Sequence, residues 1–80
     1  MKARVFVTLK PSILDPQGGT IRDALHTIGY VAVKSVRQGK YFEVDLDVTS
    51  PEEAQAMVDE FAEKLLVNPV IESYRLEVDE

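Results

Sequence analysis

Residues 2 to 9 alternate, with Ala3, Val5, Val7 and Leu9 on one side and Lys2, Arg4, Phe6 and Thr8 on the other. This is the two-residue period of a strand with one buried face. A loop punctuated by Pro11, Pro16 and Gly18-Gly19 follows, and then the period lengthens: Ile21, Ala24, Leu25 and Ile28 recur at helical spacing. Thr20 with Asp23 offers a helix start, and Gly29 a stop. Residues 31–37 and 41–48 form two further apolar-rich runs separated by Gly39-Lys40, which predicts a hairpin. Closure over two residues sets Val33 opposite Leu46 and Val31 opposite Val48 on one face, and Lys34 opposite Asp45 on the other. Ser50-Pro51-Glu52-Glu53 starts a second helix, with Ser50 as cap, Pro51 at the first position and Glu53 able to complete a capping box. Ala54, Met57, Val58, Phe61 and Leu65 make its buried stripe, and Asn68-Pro69 ends it. Residues 70–78 are the last strand.

The order βαββαβ predicts an α+β fold of ferredoxin-like type, a four-stranded antiparallel sheet with two helices on one face. The other face carries Lys2, Arg4, Phe6, Thr8, Ala32, Lys34, Val36, Tyr41, Glu43, Asp45 and Asp47. Phe6, Val36 and Tyr41 among charges of both signs make that face a candidate interface. No internal repeat or linker interrupts residues 1–80, which are expected to form a single domain.

Size strengthens the case for association. At 80 residues a single core supplies only a few kcal/mol, and without Cys the expected supplement is self-association as a homodimer or tetramer. An excess of 14 Asp and Glu over 9 Lys and Arg opposes binding to nucleic acid or anionic membrane. The start passes directly into a strand pattern, so a cytoplasmic location is the expectation.

Candidate chemistry is sparse. His26 is the single His, and no partner positioned for general base catalysis accompanies it. No catalytic, cofactor-binding or metal-ligating residue is assigned, and the row Glu43, Asp45 and Asp47 is expected to pair with Lys2, Arg4 and Lys34 rather than with a cation. Gly18-Gly19-Thr20 lacks the pattern of a nucleotide-binding loop. Interest falls instead on loops and surfaces. Ile13 and Leu14 are apolar loop residues beside Asp15, and require cover from helix one or from another subunit. Arg37 and Lys40 place two cations at the expected hairpin tip, where an acidic partner could dock.

The segments Leu9-Lys10-Pro11-Ser12-Ile13-Leu14-Asp15-Pro16-Gln17-Gly18 and Leu65-Leu66-Val67-Asn68-Pro69-Val70-Ile71-Glu72-Ser73-Tyr74, joined by Leu25, Gly29-Tyr30, Val36-Arg37 and Gly39-Lys40, resemble the PurS family. Members of that family are small non-catalytic subunits of phosphoribosylformylglycinamidine (FGAM) synthase. Ser12 and Val67 depart from the residues common there, Gly and Ala. The resemblance implies a dimeric or tetrameric adaptor in purine biosynthesis, joining the synthetase subunit PurL to the glutaminase subunit PurQ. In that scheme glutamine-derived ammonia passes to an amide activated by ATP, FGAR becomes FGAM, and ATP and Mg belong to the synthetase. This chain would be part of a ligase complex with no active site of its own. The candidate assembly residues are Phe6, Ile13, Leu14, Asp15, Arg37, Lys40, Tyr41, Asn68 and Pro69. Two alternatives differ in kind: a free-standing ferredoxin-like regulatory domain binding a small metabolite at a homodimer interface, and a small dimeric enzyme using His26. Capture of a synthetase and a glutaminase separates the adaptor from both.

Overall fold

The computed structural model describes residues 1–79. Strand β1 (Lys2–Leu9) runs between β2 (Gly39–Asp45) and β3 (Glu72–Asp79), antiparallel to both, in a three-stranded sheet of order β2-β1-β3. The alternation of β1 is realised: Ala3, Val5 and Val7 are buried while Lys2, Arg4 and Phe6 project from the opposite face. Helix α2 (Pro51–Phe61) lies over the buried face and contributes Ala54 and Val58. Phe42, Leu46, Phe61, Leu66, Tyr74, Leu76 and Val78 close the rim of this core.

Ser50 caps α2 by accepting from the Glu53 amide at 3.3 Å, and Pro51 occupies the first turn as expected. The Ser50 hydroxyl donates to Glu52 at 2.9 Å, so Glu52 rather than Glu53 completes the local hydrogen bonding. The expected stripe ends differently. A π-helical turn, Ala62–Leu66, inserts extra backbone after Phe61. Ala62 continues the buried i+4 series of Ala54 and Val58, but beyond it the inward face advances: Val67 is buried and Leu65 is 82% exposed; Met57, before the π turn, is exposed at the edge of the stripe. We expect Val58→Ala to lower the unfolding free energy by about 2 kcal/mol, measured by urea denaturation, because the lost methyl groups leave a void between α2 and β1.

The four-stranded sheet and the hairpin are not found among the described residues. Residues 31–38 form no strand, and β2 begins at Gly39 and pairs with β1, setting Gly39 opposite Thr8. Gly39 is inside the ladder rather than at a turn. A Cβ there would lie 2.3 Å from the Val7 carbonyl oxygen, so the glycine serves close strand approach. Upstream, the 36–38 segment is held at the base of the first helix, which keeps it from folding back along β2.

That helix, α1 (Pro16–Thr27), begins one turn earlier than Thr20 and Asp23 suggest. Asp15 is its cap and Pro16 its first residue, an N-terminal pairing already present in Asp15-Pro16. It ends in a Schellman motif: Tyr30 donates to the Leu25 carbonyl at 2.9 Å and Gly29 to that of His26 at 3.1 Å, with Gly29 at φ 110°. The expectation that α1 would cover the sheet beside α2 is not met, since among the described residues α1 packs against no strand and no other helix. It projects with residues 28–38 as an arm, giving extents of 49 × 26 × 14 Å and a radius of gyration of 16.0 Å. A compact domain of this length has a radius of about 12 Å.

Candidate assembly surface

Register aligns the open sheet face into three rows: Tyr41, Phe6 and Arg75; Glu43, Arg4 and Glu77; Asp45, Lys2 and Asp79. The central strand supplies cations to carboxylates on both sides. Arg4 donates to Asp79 at 2.8 Å through Nη2 and through a second bond from Nη1, and reaches Glu77 at 3.5 Å, while Lys2 lies 3.4 Å from Glu43. The hydrogen bonds from Arg4 pull the Asp79 carboxyl below the ordinary range and push the Arg4 guanidinium further up. Lys34, expected among these counter-charges, lies outside the sheet. In the apolar row the Phe6 and Tyr41 ring centroids are 5.0 Å apart and the Arg75 guanidinium carbon lies 4.2 Å from the Phe6 centroid. Such a sandwich presents a flat aromatic and cationic patch suited to protein contact. Burial, then the bond donated to Glu43, raises the pKa of Tyr41.

A second cluster joins the arm to the sheet. The Asp15 carboxylate accepts from the Gly18 amide at 2.8 Å and, through its other oxygen, from the Gln38 amide at 2.8 Å. Arg37 donates to the Lys10 carbonyl at 2.9 Å and the Ile13 carbonyl at 3.0 Å. Arg37 and Lys40 therefore do not form a cationic hairpin tip: Arg37 braces the loop and Lys40 lies 3.3 Å from Glu72. Ile13 is half-buried, whereas Leu14 is 83% exposed and uncovered by this chain. Ser12 sits in a turn without positive φ, so the loop accommodates it without a glycine-only conformation.

The corner after the π turn is the third cluster. Asn68 accepts from the Val70 amide at 3.1 Å, its own amide donates to Glu72 at 2.7 Å, and Lys10 donates to the Pro69 carbonyl at 2.8 Å. Beside this corner an open groove of about 570 Å³ runs along Glu63, Lys64, Val67, Pro69, Glu72, Ser73 and Tyr74. Tyr74 donates to Asp59 at 2.8 Å, and burial followed by that bond pushes its hydroxyl up to about 12. Gln38 and Lys10 have partners far off in the sequence, Asp15 for the one and Pro69 for the other, so residue pattern alone did not assign them these roles; Gly18 and Glu72 bond residues only three and four positions away.

Backbone amides hold the Asp15 and Glu72 carboxylates below their ordinary range, that of Gln38 first for Asp15 and that of Asn68 first for Glu72. A depressed carboxylate stabilises the fold above its unfolded pKa and loses that contribution as pH falls through its folded value. Both clusters are therefore expected to hold at neutral pH and to loosen progressively below about pH 4. An NMR titration of the Gly18, Gln38 and Asn68 amides checks this.

His26 is engaged structurally, with Nε2 at 2.6 Å from the Val33 carbonyl oxygen inside the arm. The three clusters sit on sheet face, loop and corner, and each is built from contacts that organise surface. A family model, PurS, described as phosphoribosylformylglycinamidine (FGAM) synthase, matches residues 2–80. This chain belongs to the PurS family. The PurS subunit of the synthase from Bacillus subtilis is 48% identical over 79 residues, covering 99% of this chain and 93% of that one. The crystal structure of Methanocaldococcus jannaschii PurS is 37% identical with a TM-score of 0.90, covering 99% of this chain and 95% of that one. A chain in the PurLQS structure from Thermotoga maritima is 33% identical with a TM-score of 0.87, covering 95% and 93%. The α+β arrangement of this chain, with two helices and a three-stranded antiparallel sheet, is thus similar to that of solved PurS structures.

Proposed function

We propose that this chain is the small subunit of FGAM synthase, acting in purine biosynthesis as a self-associating adaptor that joins a synthetase to a glutaminase for ammonia transfer. The observation that carries the reading is the near full-length match to a chain of the Thermotoga PurLQS assembly, with the fold preserved. ATP and Mg2+ act on the synthetase partner, the chemistry is cytoplasmic, and this chain contributes surface rather than reacting groups.

Its shape supports self-association. The chain exposes 5717 Å², whereas a compact monomer of its mass exposes about 4,900 Å². The excess approximates the roughly 800 Å² that one partner contributes to a standard interface. Ile28, Tyr30 and Val31 on the arm are exposed, as is Leu14 at its base, and a second copy that covers them recovers the missing burial. The experiment is light scattering of the isolated chain, followed by size exclusion with synthetase and glutaminase. A homodimer or tetramer that co-migrates with both proteins is expected; a lone oligomer that ignores both and binds a metabolite supports the regulatory domain instead.

His26→Ala is expected to leave reconstituted synthase activity within about twofold of wild type, because its ring contacts backbone within the arm rather than a reacting group. Steady-state rates with glutamine check this, and a loss of several hundredfold in a folded, assembled variant contradicts it.

A further inference from the structure

We propose that Asp15 is a positioning residue of the assembly: its carboxylate, gripping Gly18 and Gln38 together, fixes the direction in which the arm of residues 16–38 leaves the sheet. The consequence for turnover rests on the adaptor reading, while the joint itself rests on geometry. The arm meets the rest of the fold without helix or strand packing, so its direction depends on the place where residues 15–18 cross residues 36–38. There the two oxygens of one carboxylate divide between the helix start and the chain's return, and the residue is 94% removed from solvent, with 6% of its surface accessible.

The crossing is also tight. A Cβ on Gly18 would stand 2.0 Å from the Val36 carbonyl oxygen and 3.0 Å from an Asp15 carboxylate oxygen. No flexible side chain could yield there, since the obstacle is backbone. Arg37 locks the same segment to the carbonyls of Lys10 and Ile13, and Gln38 donates through its side chain to Gln17 at 2.8 Å. The joint thus couples both ends of the arm to each other and to the loop leaving β1. A rigid joint presents Leu14, Ile28, Tyr30 and Val31 in one orientation, reducing the freedom lost when they dock.

Two variants attack the joint differently. Asp15→Asn replaces one acceptor by an amide that opposes an N–H, while Gly18→Ala forces residues 36–38 off the helix without changing charge. Each is expected to speed hydrogen exchange at residue 38 and across residues 30–38 by about tenfold or more, with β1 and α2 unchanged. In reconstituted complex each should lower glutamine-dependent turnover by about tenfold and leave ammonia-dependent turnover within about twofold, since holding two sites in register matters only when ammonia is delivered between them. The double variant should be little worse than either single one, and Asp23→Asn, on the exposed helix surface, should match wild type.

Unchanged exchange in the arm overturns the proposal, as does a loosened arm with full glutamine-dependent turnover. Loss of protection in β1 also overturns it, by placing Asp15 in the stability of the sheet. If the wild-type chain enters no complex, the adaptor reading fails, and exchange at residues 30–38 still decides whether Asp15 fixes the arm.

Discussion

Leaving this chain out of a mixture of synthetase and glutaminase is expected to abolish glutamine-dependent formation of FGAM while sparing ammonia-dependent formation to within about tenfold. A protein that contributes no reacting group changes rate by controlling where other groups sit. When two active sites are held in register, ammonia released at one reaches the other at an effective concentration far above its bulk value, which replaces an encounter in solution by delivery. Without the adaptor, ammonia escapes to solvent and is protonated. Saturating external ammonia bypasses this step, so the synthetase should still turn over. The measurement is FGAM production with each nitrogen source, with and without this chain. Equal glutamine-dependent rates in the two mixtures reject the adaptor role and leave a metabolite-binding domain as the better account.

What was legible in the sequence was local. The alternation of β1, the Ser50-Pro51 start of α2 and the Asn68-Pro69 stop follow from residues within a few positions of one another, and the structure realises all three. What was not legible depends on distant pairs. Residues 31–37 are apolar-rich like a strand, but they pair with no strand among the described residues, because Asp15 and Arg37 divert the chain at the base of α1. Gly39-Lys40 suits a hairpin turn, yet the need at Gly39 is close approach to Val7, a residue of β1. Leu65 follows the helical period of α2 until the π turn shifts it outward, a change that leaves no mark on hydrophobic spacing. The candidate surface divides in the same way: Phe6 and Tyr41 share a face because strands alternate, whereas Asp15 stands out in the sequence for its apolar neighbours and in the structure for its bond to Gln38, 23 positions away.

Ile28→Asp combined with Val31→Asp is expected to weaken self-association by about a hundredfold or more, giving monomers at micromolar concentration. Both side chains are largely exposed on the arm, 69% and 75% respectively, and neither supports the core of Val5, Val7 and Val58. The substitutions should therefore leave the folded single chain intact. In an associated state covering the arm, each introduces a carboxylate into an apolar contact, where the cost of desolvation has no compensating partner. Light scattering across a dilution series measures the loss, and circular dichroism verifies that the fold persists. Phe6→Asp provides the contrast, because it attacks the aromatic patch of the open sheet without touching the arm. Dissociation by the arm pair alone places the self-contact on residues 28–31. Dissociation by Phe6→Asp alone places it on the sheet and frees the arm for the synthetase or glutaminase. In a chain whose exposed area exceeds that of a compact monomer by roughly one interface, a stable monomer under all conditions would mean that its partners alone supply the missing cover.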